Sequence, residues 1–217
     1  MSVDAVPVEP PVASVRRSVD LPLRLVDGTP VPARLTTFHG LVDGREHVAI
    51  GLGSRAVGDP RPVGVPLVRL HSECLTGDVL GSARCDCGPQ LQEAIGRISS
   101  SGGYLLYLRQ EGRDIGLYNK IDAYALQDEG LDTYQANLAL GFAEDERDYT
   151  AAVQMLEALG IDRLDLLSNN PDKAAQLEAA GIRVERRVHT GLHISPVNLG
   201  YLTTKARGGH VLHLPTL

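Results

Sequence analysis

Residues 91–113 read LQEAIGRISSSGGYLLYLRQEGR: a helix pattern, a double glycine and a strand pattern in direct succession. Leu91, Ala94, Ile95 and Ile98 recur at i, i+3, i+4 and i+7, which is one apolar face of a helix that ends at Gly102-Gly103. The run YLLYLR, residues 104–109, then reads as a buried strand. The alternation continues downstream. Helical stretches are expected at about 119–129 and 134–140, and a third carries Ala152, Met155, Leu156 and Leu159 on one face. A strand at 164–168 leads to a helix with Asn170 as N-cap and Pro171 in its first turn, closing at Gly181 before a last strand at 182–188. Strand, helix, strand units of this length imply at least part of a parallel sheet covered by helices. Upstream, from residue 21 to about 70, the β-rich runs LPLRLV, VPARLTTF, EHVAIGLG and GVPLVRL are separated by turns such as Asp27-Gly28-Thr29-Pro30. The expected fold class is therefore α/β: a β-rich N-terminal half, then alternating helices and strands, in a mixed sheet covered by helices.

A chain of 217 residues is long enough for one large domain with a proper core. The expected division is a flexible Pro/Val-rich tail over 1–20, one domain over 21–190, and a C-terminal tail over 191–217 without a helical or strand period. At 43% hydrophobic and 22% charged residues, the composition is that of a globular protein rather than a disordered or fibrous one. No run of eighteen apolar residues occurs and the N-terminus lacks the apolar stretch of a secretory signal, so a cytoplasmic location with reduced thiols and no membrane partner is expected. The net charge of -6 argues against a broad nucleic-acid surface, and the absence of Trp with only two Phe leaves few base-stacking platforms. Any anionic ligand must meet a local cluster of basic residues.

The chain's three cysteines, Cys74, Cys85 and Cys87, fall within fourteen residues. Small buried hydrophobes are one reading of free cysteines. A metal site is the other, favoured by the clustering. The spacing is not that of a zinc ribbon or finger, and three ligands leave a fourth tetrahedral position for water, the arrangement of a catalytic zinc. Zinc makes hydroxide available near neutrality, although three thiolates donate much charge to the metal and should leave its water less acidic, so that other groups should help. His71-Ser72-Glu73 matches the H-x-E of zinc nucleobase deaminases, but the P-C-x-x-C that should follow is absent, so His71 reads as a hydrogen-bonding residue.

Arg109-Gln110-Glu111-Gly112-Arg113 follows the buried strand directly, at the end where open α/β sheets bind ligands. A solvated charged loop is the alternative. Ser168-Asn169-Asn170-Pro171-Asp172-Lys173 places a hydroxyl, free backbone N–H groups and a lysine at a helix N-terminus, which suits a phosphate but resembles many capped helices. The acidic run from Phe142 to Asp148 reads by itself as solvated surface.

Taken together, HSECLTGDVLGSARCDCG, LRQEGRDIGLYNKIDAYALQDEG, GFAEDERDY and SNNPDK resemble GTP cyclohydrolase II, in the same order from about Arg69 to Lys173. The resemblance implies a homodimer, with one Zn²⁺ per subunit and Mg²⁺ on the substrate phosphates. Its reaction converts GTP to 2,5-diamino-6-(5-phosphoribosylamino)pyrimidin-4(3H)-one, formate and pyrophosphate, the first step of riboflavin biosynthesis. It implies zinc ligands at Cys74, Cys85 and Cys87, and substrate contacts at Arg69, Leu70, His71, Ser72, Glu73, Gln90, Glu111, Gly112, Arg113, Thr133, Ser168 and Lys173. It also implies a proton acceptor at Asp145, a nucleophile toward the α-phosphate at Arg147 and an active-site tyrosine at Tyr124. Because a guanidinium stays protonated at ordinary pH, charge stabilisation is the simpler role for Arg147. Residues two apart do not face each other on a helix, so direct cooperation of Asp145 and Arg147 requires a loop or extended chain. Departures are modest before the tail: Ser168 stands where the family often has Thr, and Asp122 where a basic residue can occur. Two alternatives stay open. One is a secondary-metabolism paralogue that stops at the formylamino pyrimidine; the other is a zinc-stabilised nucleotide-binding module without turnover.

Overall fold

The computed structural model describes residues 12–56 and 64–212. Strands β1 (Ser14–Asp20), β4 (Ala33–His39) and β5 (Val48–Leu52) precede β6 (Leu67–Ser72), and β2 (Leu23–Arg24) and β3 (Pro30–Val31) form a separate small ladder. Helix α1 (Cys87–Ser101) leads into β7 (Gly103–Leu108). Then come α2 (Leu117–Asp128), α3 (Thr133–Ala139), α4 (Thr150–Ala158), β8 (Arg163–Leu167), α5 (Pro171–Ala179), β9 (Arg183–Val188) and α6 (Leu199–Arg207).

Seven strands make one mixed sheet in the order β1-β4-β5-β7-β6-β8-β9. Pairing is antiparallel from β1 to β7 and parallel from β7 to β9. This is the expected α/β class, with the β-rich N-terminal half supplying the antiparallel edge.

Alternation along the central strands sends neighbouring side chains to opposite faces. Leu106 and Leu108 of β7 pack with Val68, Leu70, Leu164 and Leu166 against Met155 and Leu156 of α4 and Leu177 of α5. Leu105 of β7 packs with Leu67, Leu167 and Leu52 against Ala94, Ile95 and Ile98 of α1. The parallel half is thus covered on both faces, as its continuous apolar runs require. The two glycines between α1 and β7 do different work. Gly102 takes φ +79° to end the helix, while a Cβ on Gly103 would lie 1.9 Å from the Leu67 carbonyl oxygen.

Two expectations need correction. Residues 14–20 belong to β1, not to a tail, whereas 1–11 lie outside the described residues. Nearly every β1 side chain is exposed, so no apolar alternation marks it, and the strand is made by its ladder to β4 with Ser18 and Thr36 hydroxyls 2.9 Å apart across it. Within 191–217, the structure forms α6, anchored by Leu202 and opened by Ser195 and Asn198, which exchange side-chain to backbone hydrogen bonds. Its inward face is largely polar, which hides the helical period from a hydrophobicity reading.

Candidate active site

The three strands at the heart of the parallel half all end at one place. Ser72 of β6 is followed by Glu73 and Cys74, Leu108 of β7 by Arg109 to Asp114, and Leu167 of β8 by Ser168 to Lys173. This is the carboxyl edge of the sheet, where crossover connections leave a crevice.

Cys74, Cys85 and Cys87 bring their sulfurs within 4.8 Å of one another, with Cys74 and Cys85 3.7 Å apart. Zn–S bonds of about 2.3 Å in a tetrahedron put neighbouring sulfurs about 3.8 Å apart, so the donor set and its spacing fit zinc. Three thiols this close cannot ionise independently. Hydrogen bonds from Cys85 and Cys87, then the nearby Lys120 ammonium, drive Cys74 far below the ordinary thiol range, while Cys85 is pushed up to about 11. A divalent cation among the sulfurs removes that competition. One π-helical turn, Leu75–Val79, wraps the cluster. Its Gly77 lets the turn approach the sulfurs closely: a Cβ there would lie 2.7 Å from the Cys85 sulfur and 3.1 Å from that of Cys74. Asp78 braces the turn: it accepts from the Cys74 N–H at 3.0 Å and from the Tyr107 hydroxyl at 2.9 Å, and lies 3.1 Å from His71 Nε2. His71 is thus a hydrogen-bonding residue outside the sulfur cluster, stacked on Tyr107.

Beside the sulfurs, Lys120 of α2 lies 3.1 Å from Cys74 Sγ, 3.0 Å from Thr76 Oγ1 and 2.6 Å from Glu111 Oε1. Burial opposes the charge on Lys120, but Cys74 and Glu111 outweigh it and raise its pKa. The other Glu111 oxygen accepts from the Leu75 N–H at 2.6 Å, so this carboxylate ties the 109–114 turn to the cysteine loop. Tyr124 lies one helical turn beyond Lys120, its hydroxyl 3.3 Å from Thr76 Oγ1, and burial raises its pKa so that it keeps its proton.

The rest of the crevice is cationic. Arg69 donates to Gln90 Oε1 at 2.6 Å and to the Leu167 carbonyl at 3.2 Å. Lys173 donates to the Leu70 carbonyl at 2.7 Å, and burial, then repulsion from Arg69 and Arg147, pulls its pKa well down. The segment between α3 and α4 is not helical where Arg147 folds back to pair with Asp145, as direct cooperation between them requires. Burial weakens the Arg147 guanidinium, but Tyr149 and Asp145 outweigh it and hold its pKa above the ordinary value. Arg113 and Asp114 both take left-handed backbone, φ +63° and +78°, which is strained for non-glycine residues. Arg45, from the β4–β5 connection, pairs with Asp114 and donates to the Arg109 carbonyl at 3.0 Å, pinning that turn. The cavity is lined by seven Lys or Arg side chains and two Glu, on a chain whose net charge is -6, so positive potential is concentrated here.

The family model described as GTP cyclohydrolase II matches residues 18–189. The chain belongs to the GTP cyclohydrolase II family. Relatives named GTP cyclohydrolase-2 include one from Vibrio cholerae, 50% identical over 94% of this chain and 100% of that one. Another from Vibrio vulnificus is 52% identical over 91% and 97%, and one from Azotobacter vinelandii 54% over 84% and 88%. Among solved structures, RibBX, a two-domain 3,4-dihydroxy-2-butanone 4-phosphate synthase from A. baumannii, aligns with a TM-score of 0.42 at 16% identity. That alignment covers 84% of this chain and 41% of that one.

Of the positions that resemblance to GTP cyclohydrolase II marks, all line this one cavity except Leu70 and Asp145. The Leu70 side chain is core and only its carbonyl reaches the site, through Lys173; Asp145 reaches it through Arg147. Sequence reasoning missed Lys120, although Lys120 and Tyr124 stand at i and i+4 and so share a helix face. It also missed Tyr201, Lys205 and His210, which line the cavity from the C-terminal segment. Asp86, between two of the cysteines, accepts from Lys205 Nζ at 2.7 Å and from Gln90 at 2.6 Å.

Proposed function

We propose that this chain hydrolyses GTP at C8 of the guanine, releasing formate and pyrophosphate to give 2,5-diamino-6-(5-phosphoribosylamino)pyrimidin-4(3H)-one, the first step of riboflavin biosynthesis. The observation that carries the reading is that a three-cysteine cluster and an arginine and lysine wall share one cavity in a GTP cyclohydrolase II family member. In this reading the enzyme is cytoplasmic and homodimeric, with Mg²⁺ accompanying the phosphates. Cys74, Cys85 and Cys87 would hold the zinc, which would supply Lewis acidity and activation of water for hydrolysis near neutral pH.

The chain's own groups do the remainder. Tyr124, protonated at neutral pH, offers its proton from Oη to the leaving nitrogen in the deformylation step. Lys120 offsets thiolate charge at Cys74 and holds Glu111 in place. Arg113, Arg147 and Lys173 bind the triphosphate, and Arg147 stabilises charge at the α-phosphorus rather than attacking it, since Tyr149 and its pairing with Asp145 outweigh burial and keep it a protonated guanidinium. The retained Tyr124 hydroxyl counts against the paralogue that stops at the formylamino pyrimidine.

The test is incubation with GTP and Mg²⁺, with and without a zinc chelator, identifying products by mass and assaying formate. Chelator-sensitive formate with the diaminopyrimidine is the expected result. Accumulation of the formylamino pyrimidine alone would replace this reading with the paralogue, and no turnover would replace it with a binding module.

A further inference from the structure

We propose that His210, in the segment following α6, binds the phosphate chain of the nucleotide, so that the C-terminal segment forms a wall of the triphosphate site. The inference rests on the functional reading above for the identity of the nucleotide.

Four observations carry it. His210 lines the same cavity as Arg113, Arg147, Lys173 and Lys205. Its Nδ1 is buried without a hydrogen-bond partner, one of four such side-chain atoms among the described residues, and two others, on Arg69 and His71, also belong to residues lining that cavity. Buried polar atoms are nearly always paired, so a cluster of unpaired ones around one cavity points to a ligand that pairs them. The segment is also held from three directions: Lys205 by Asp86 of the cysteine loop at 2.7 Å, the Val211 N–H by the Asn169 carbonyl at 2.9 Å, and Gly208 against Tyr134. A Cβ at Gly208 would fall 1.8 Å from the Tyr134 hydroxyl, and that ring carries Arg113 at 4.2 Å. Lastly, the four cations converge on a neutral imidazole, whose pKa burial and then Lys205, Arg147, Arg113 and Lys173 lower to about 3. An imidazole N–H can donate to a phosphate oxygen without adding another positive charge to this crowded wall.

The experiment compares wild type with His210→Ala and His210→Gln, measuring kcat and KM for GTP, the Kd of a methylene-bridged GTP analogue, and zinc content. In His210→Ala, loss of a hydrogen bond to a charged phosphate should raise KM and Kd about tenfold. We expect kcat to change much less, zinc content to hold, and Gln, which keeps an N–H donor, to restore most of the affinity. Unchanged KM and Kd in His210→Ala overturn the inference, as does a fall confined to kcat or a loss of zinc that accounts for the defect. A wild-type chain that neither binds the analogue nor converts GTP overturns the functional reading, and the inference with it.

Discussion

The ammonium of Lys120 lies 3.1 Å from the sulfur of Cys74, placing a positive charge against one of the three clustered cysteines. Three thiolates around one divalent ion leave a net negative centre and weaken its Lewis acidity. Lys120 opposes that excess, and it orients Glu111, which in turn holds the Leu75 N–H. Replacing an outer partner of this kind costs about 10–100-fold in metal affinity or activity. For Lys120→Met we expect a loss of that order in zinc affinity, read by competition with a chromophoric chelator, and a matching fall in formate release. Wild-type zinc affinity in the variant would remove Lys120 from the metal site.

Gly77 gives a second handle on the same centre. An alanine methyl there must occupy space 2.7 Å from the Cys85 sulfur and 3.1 Å from that of Cys74. The sheet and its two apolar layers do not involve this turn, so Gly77→Ala is expected to keep wild-type circular dichroism while retaining little zinc after dialysis. Full zinc occupancy in the variant would mean the loop relaxes around the methyl.

How far the sequence carried the structure depended on what marks each element. Apolar periodicity located α1, α4 and β7 because each buries an apolar face. It failed for β1, whose side chains are exposed and whose stability lies in backbone pairing, and for α6, which turns Tyr201 and Lys205 into a polar cavity. The cysteine cluster was legible because three cysteines in one short span are rarely accidental. Lys120 was not, because a lysine in an amphipathic helix usually faces solvent, and only tertiary packing brings it to Cys74.

Tyr124→Phe separates the two hydrolyses. The variant keeps the half-buried ring and loses only the hydroxyl beside Thr76. If that proton serves the deformylation step alone, ring opening survives while formate release slows by about 10²-fold or more, and the formylamino pyrimidine accumulates in the mass spectrum. An undiminished formate yield would exclude the role.

Arg147→Lys tests electrostatic stabilisation. Lysine keeps the charge but not the two-pronged contact with Asp145, so pyrophosphate release should fall about tenfold and not vanish. Wild type, quenched during turnover and digested at neutral pH, should yield no phosphorylated Arg147 peptide. Detection of that peptide would establish the nucleophilic role instead.

Lys173 makes binding depend on pH. Without nucleotide its pKa is well below the ordinary lysine value, from burial first and then from Arg69 and Arg147. A triphosphate among these groups favours the ammonium, so the bound-state pKa is higher than the free-state one. Below the free-state pKa the lysine is charged in both states and affinity is greatest. Between the two pKa values binding must take up a proton, so affinity falls by up to about tenfold per pH unit as pH rises, and it levels off above the bound-state value. The Kd of the methylene-bridged GTP analogue, followed from neutral to alkaline pH, should show this decline, and calorimetry in two buffers of different ionisation heat should show the proton uptake. Lys173→Arg supplies a permanently charged group, so any binding it retains should lose that part of the slope. A wild-type slope shared unchanged by the arginine variant would assign the titration to another group.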